Sequence, residues 1–137
     1  MNERRIAIIV DPSLPIGLLA NTVAAIGIGL GAAAPAFGNV VLTDAAGRSI
    51  HTSADRPVPI LQAPAEQIAR LLIAAEPAPE GGRIVAFPQF ARGLHAFADY
   101  QAAFPARDLA HEVIDGLGLA GPAKWVTSLT GSLKLLR

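Results

Sequence analysis

The sequence predicts one α/β domain, a three-layer α/β/α sandwich around a mixed, largely parallel sheet. Three observations point there. Residues 5–10 are rich in Ile and Val without polar alternation, the pattern of a strand covered on both faces. No charged residue stands between Asp11 and Asp44, so the helix expected there is buried between a sheet and another layer. Strand-like and helix-like segments then alternate to the end of the chain, as in βαβ units.

Taken in order, the elements have local reasons. Pro12 and Pro15 forbid helix and hold the turn after the first strand extended. A helix begins near Ile16 and fades through Gly27, Gly29, Gly31 and Pro35, because glycine weakens helices. Residues 39–43 read as a strand, and Asp44-Ala-Ala-Gly47 as its turn. Residues 48–57 are polar and irregular. Residues 58–62 form a short strand, with Pro59 marking a free or bulged edge. Pro64 suits the start of the next helix and Glu66 its first turn. Ile68, Leu71, Leu72 and Ala75 keep helical spacing along it. Residues 77–82 form a loop and residues 83–87 a buried strand. A helix is expected over 91–103, with Leu94, Phe97 and Ala98 inward. Residues 108–119 fit either helix or strand. Pro122 opens a short helix carrying Trp125, Val126 and Leu129, and Gly131 stops it. Residues 133–137 are a terminal strand or a docked tail.

Composition bounds the function. The chain has 137 residues, the size of one domain. Only 16% are charged, against a usual ~25%. Much of the surface is therefore apolar, small or shared with another subunit. That favours a homo-oligomer, with a plain bias toward alanine as the other explanation. Eleven acidic and eleven basic residues cancel and form no basic stripe, so nucleic acid is not an expected partner. The absence of Cys excludes disulfides, thiolate metal sites and a Cys nucleophile, and suits a cytoplasmic location. The uncharged stretch is long enough to span a bilayer. Pro12, Pro15, Pro35, Asn21 and Thr22 interrupt it, so neither a membrane helix nor a signal peptide is expected.

Ile9-Val-Asp-Pro-Ser-Leu-Pro-Ile-Gly17 resembles the opening of the peptidyl-tRNA hydrolase type II fold, with Leu14, Ile16 and Gly17 matching its turn and helix start. A broader similarity, to uncharacterised bacterial proteins sharing that fold, runs through residues 10–22, 27–31, 59–61 and 125–137. The resemblance implies the architecture. Type II hydrolases place an Arg after the first strand, a Lys in the first helical turn, and a Gln and a His further along. The corresponding positions hold Asp11, Ala20, Ala24 and Gly27. Without the Lys there is no fixed cation to hold a phosphate or a developing oxyanion. A hydrolase with that position replaced is the enzyme-class alternative to a domain that binds a small polar ligand or oligomerises.

Ligands of open α/β sheets sit beyond the carboxyl ends of the strands. Asp11, Ser13, Asn21 and Thr22 are the candidates there. Asp11 is the candidate general base or cation ligand; its plainer role is to accept N–H bonds in the turn. Lys124, Thr127 and Thr130, with Ser128 and Ser132, could cradle a carboxylate or phosphate; their plainer role is helix termination. His95 and Asp99 are spaced i, i+4, and His111 follows, but no Ser or Cys elbow completes a triad, and no metal site is expected. There is no P-loop or Rossmann fingerprint: Gly27-x-Gly-x-Gly31 lies late in a helix rather than straight after a strand. No cofactor is expected.

Overall fold

The central strand β1 (Arg4–Val10) sends alternate side chains to opposite faces. In the computed structural model, which describes residues 3–137, Ile6 and Ile8 enter one apolar cluster while Ala7 and Ile9 enter another. The first cluster lies beneath helix α1 (Ile16–Ala33), through Ile26 and Leu30. The second lies beneath α2 (Ala65–Ala75) and α4 (Ala123–Thr130), through Ile68, Leu72 and Val126. Helical cover on both faces is why the β1 sequence has no polar alternation.

Among the described residues, five strands make the main sheet. Besides β1 they are β4 (Ile60–Gln62), β5 (Arg83–Pro88), β6 (Ile114–Pro122) and β7 (Lys134–Leu135). Their order is β5-β6-β1-β4-β7. Strands β2 (Val41–Thr43) and β3 (Ser49–His51) form a separate hairpin. Asp44 closes its turn by accepting the Ala46 and Arg48 amides at 2.9 and 2.8 Å. Gly47 supplies the positive φ of +87° that other residues avoid. Residues 49–51, expected to be irregular, are thus the second strand of a hairpin.

The sheet is mixed but not largely parallel. Among the described residues β1 pairs in parallel with β4, and β1–β6, β5–β6 and β4–β7 are antiparallel. The expectation failed because it treated the helical stretch after β5 as a crossover. That stretch instead forms an excursion at one end of the sheet. It contains a 3-10 turn (Gln89–Gly93) and the short helix α3 (Phe97–Ala103). The Gln89 amide closes its neck on the Val113 carbonyl at 2.8 Å, and the chain returns antiparallel beside β5. The helix expected over 91–103 is accordingly broken. Phe97, expected inward, is 70% exposed.

The ambiguous residues 108–119 divide into a 3-10 turn (Leu109–His111) and the start of β6, and the glycines of β6 explain the ambiguity. Gly116 and Gly118 lie under α1. A Cβ on Gly116 would stand 2.7 Å from Thr22 Cγ2 and from Ile26 Cδ1. Glycine is poor in strands by propensity, yet here it lets a helix approach the sheet closely. α1 also continues through its own glycines to Ala33, whose carbonyl accepts Arg83 Nε at 3.2 Å. Gly29 faces Val85, with a would-be Cβ 3.0 Å from Val85 Cγ1.

Candidate functional site

At the carboxyl end of β1 the chain gathers its most buried polar groups. The β5–β6 register slips between Phe87 and Pro88, which oppose Gly116 and Ile114. Asp115 is the extra residue of this bulge, a device that re-aims a side chain. Its carboxylate, 1% exposed, accepts Arg92 Nε at 3.0 Å. Arg92 also donates to the Thr22 hydroxyl and reaches Asn21 Oδ1 at 3.5 Å. Its guanidinium lies 4.4 Å from the centre of the Phe87 ring. Thr22 in turn donates to the Leu18 carbonyl at 2.7 Å. The cluster ties α1, β6 and the excursion after β5 together. A buried charge is tolerable only when paired and hydrogen-bonded, and no buried side-chain polar atom among the described residues lacks a partner.

The sequence pointed to Asn21 and Thr22 but missed Arg92 and Asp115. A signal for Asp115 existed: it is the one charge in an apolar and glycine run, Ile114-Asp-Gly-Leu-Gly-Leu119, so burial there demands a cation. Nothing in the spacing said which one.

The other candidates lie apart from this cluster. Asp11 Oδ1 accepts the Ser13 amide at 2.9 Å and the Ser13 hydroxyl at 2.7 Å, an Asx turn. The Asp11 amide donates to the Asp115 carbonyl at 3.1 Å, so the turn touches the cluster through backbone only. Lys124, Thr127 and Thr130 lie on α4, across the sheet from α1. Lys124 is exposed. Thr127 Oγ1 accepts Arg5 Nη1 at 3.4 Å, and Thr130 Oγ1 donates to the Val126 carbonyl at 2.8 Å. Ser128 similarly bonds the Trp125 carbonyl at 2.7 Å. His111 Nδ1 meets Asp108 Oδ2 at 3.0 Å, both at the surface. Among the described residues no group of three or more His, Asp or Glu is placed to hold a metal ion. The Tyr100 hydroxyl, among Phe90, Phe97 and Phe104, has its pKa raised by burial.

A second feature is apolar. An open cleft of about 470 Å³ runs between α1 and the segment leading into the hairpin. Ile6, Ile8, Leu30, Phe37 and Val58 wall it; Asn39, Thr52 and Ser53 border it. Gly27 and Gly31 form part of its helical side, and a Cβ on either would meet nothing within 4 Å. Arg56, paired with Asp55 at 2.7 Å, stacks on Phe37 with 4.4 Å to the ring centre.

Residues 4–137 match the family described as "Protein of unknown function (DUF2000)". The chain belongs to the DUF2000 family. A protein of unknown function from Agrobacterium tumefaciens strain C58, Atu0240, superposes with a TM-score of 0.86 over 98% of each chain at 17% identity. That likeness concerns the fold. No curated protein matches the chain. α1 is, among the described residues, the one helix long and apolar enough to cross a membrane by length and composition, with mean hydropathy 1.8. In this DUF2000 chain it lies along the sheet through Thr22, Ile26 and Leu30, a single i, i+4 stripe; the expectation of a helix buried between two layers fails, since its outer face is uncovered, with Ile28 76% exposed.

Proposed function

We propose that this DUF2000 chain is a non-catalytic binding module whose ligand site is the cleft beside α1. The ligand is a small, largely apolar molecule with one polar end. The observation that carries this is the combination of apolar walls, an open glycine side and a polar border in one cleft, of a size typical for small-molecule sites. Asn39, Thr52 and Ser53 supply the polar groups that would orient the ligand.

A small polar ligand at the carboxyl end of β1 is a second reading, favoured by the exposed amide of Asn21 beside Arg92. The hydrolase alternative has less support, since the Asp11 carboxylate is engaged by Ser13. We read the likeness to peptidyl-tRNA hydrolase type II, and a three-layer arrangement, as architecture. Helices over both faces of β1 support that reading, and fold does not carry activity with it. The absence of Cys supports a reducing, cytoplasmic setting.

The test is a fluorescence titration with N-phenyl-1-naphthylamine, an uncharged apolar probe. Wild type is expected to bind saturably with a blue shift. Gly31→Leu, which fills the open side of the cleft, is expected to weaken binding at least about tenfold, the effect of roughly 1.4 kcal/mol. Asp11→Ala is expected to bind as wild type. Unchanged binding by Gly31→Leu would reject the site.

A further inference from the structure

We propose that the outer face of α1 and one face of the β2–β3 hairpin form a two-fold interface with a second copy of this chain. The hairpin register opposes Leu42 to Ile50 and Thr43 to Ser49. Alternation then puts Val40, Leu42 and Ile50 on one face, and Val41, Thr43, Ser49 and His51 on the other. The second face is the more polar one, carrying His51 and the Thr43 and Ser49 hydroxyls, 2.8 Å apart, beside Val41. The first face is apolar and uncovered: Leu42 is 52% and Ile50 67% exposed. A two-stranded hairpin alone is marginally stable in water, and an amphipathic one is built to be covered.

The outer face of α1 is the matching surface. Ile28, opposite the buried stripe, is 76% exposed, and no residue of the helix is charged. The two surfaces adjoin, since Gly27 and Gly31 of α1 and Asn39, Thr52 and Ser53 at the hairpin base line one cleft. Of the cations bordering them, Arg56 is paired with Asp55 and Arg92 with Asp115; Arg83, at the end of α1, bonds the Ala33 and Gly82 carbonyls.

Charge therefore selects the occupant. A helix that docks on lipid carries Lys or Arg along its polar side, and α1 has none. A charged partner would find no counter-charge on α1 itself. A second copy presents the same uncharged surface by symmetry, and an isologous contact needs only self-complementarity. The area is sufficient but small. α1 is about 27 Å long and about 10 Å wide, so its outward half offers roughly 400 Å². The hairpin face adds roughly 100 Å². Two copies then bury about 1,000 Å², the lower bound for a specific interface. The dimer is accordingly weak and reversible.

The proposal is independent of the cleft's ligand, because Ile28 and Ile50 are not among its walls. Sedimentation equilibrium over micromolar to millimolar chain is expected to show mass rising from 14.1 kDa toward twice that. Ile28→Asp and Ile50→Lys should each weaken association at least about tenfold, with far-UV circular dichroism unchanged. Val41→Lys, on the polar face of the same hairpin, should leave it unchanged. All three variants should still bind N-phenyl-1-naphthylamine, so loss of the dimer and loss of the cleft are read separately. A monomer at every concentration, association indifferent to both isoleucine changes, or a monomer that binds phosphatidylglycerol vesicles through α1 would each overturn it.

Discussion

Gly118→Ala tests how closely α1 can sit on β6. The added methyl would meet Ile26 Cγ2, and it would stand 2.9 Å from Leu30 Cδ1. Ile26 Cγ2 branches from Cβ and cannot swing aside without changing rotamer. β6 cannot retreat either, since it is paired along its length to β1 and also to β5. Overpacking of this kind costs about 1–3 kcal/mol. Replacing glycine in a strand returns roughly 0.5–1 kcal/mol through the unfolded chain. The net expectation is a loss of about 1–2 kcal/mol. With a urea slope of about 1–3 kcal/mol/M, that lowers the midpoint by roughly 0.5–1 M at unchanged slope. Ile26→Ala alone should cost about 2–5 kcal/mol. The Gly118→Ala/Ile26→Ala double variant should lose less than the sum of the two, because the clashing methyl is gone. A Gly118→Ala protein as stable as wild type, or strictly additive with Ile26→Ala, would refute the close approach.

Arg92→Met strands the Asp115 carboxylate, and breaking such a pair should cost about 3–5 kcal/mol by chemical denaturation; an Arg92→Met/Asp115→Leu double variant should recover much of it. Gly47→Ala forces a non-glycine residue to a φ of +87° and should cost about 1–2 kcal/mol, checked by thermal melting. The hairpin should also loosen in acid. The Arg48 amide is the main cause holding the exposed Asp44 carboxyl below its ordinary 3.8. A carboxyl depressed by folding stabilises the fold fully above its unfolded value and loses that stabilisation as pH falls through the lower folded one. The Ala46 and Arg48 amide resonances, whose N–H groups the carboxylate accepts, should therefore shift as pH drops below about 3.8, and Asp44→Asn should abolish the shift. Asp11→Ala opens the turn to Ser13 and should cost about 1 kcal/mol, like the loss of a cap, with probe binding intact.

What the sequence revealed follows from how local each signal is. β1 was legible because Ile and Val without alternation have one reading. α2 was legible because Pro64, Glu66 and the spacing of Ile68, Leu72 and Ala75 agree. β6 was not, because Gly116 and Gly118 look like strand breakers until α1 is placed above them. The parallel sheet was misjudged because a helix between two strands does not announce whether it crosses the sheet; the Gln89–Val113 bond that closes the neck links residues far apart in sequence. The site divided in the same way. Thr22 stood out as a hydroxyl in an apolar helix, whereas its partner Arg92 lies 70 residues on. The apolar cleft left no motif at all: Ile6, Leu30, Phe37 and Val58 each read as core, and the space between them exists only in three dimensions.

The most direct test of the cleft as the functional surface is methyl-detected NMR of Ile, Leu and Val groups during titration with N-phenyl-1-naphthylamine. The expected result is saturable shifts confined to Ile6, Ile8, Leu30 and Val58, with Ile68 and Leu72 on the buried face of α2 unmoved. Shifts centred on α2, or none at saturating probe, would contradict the assignment.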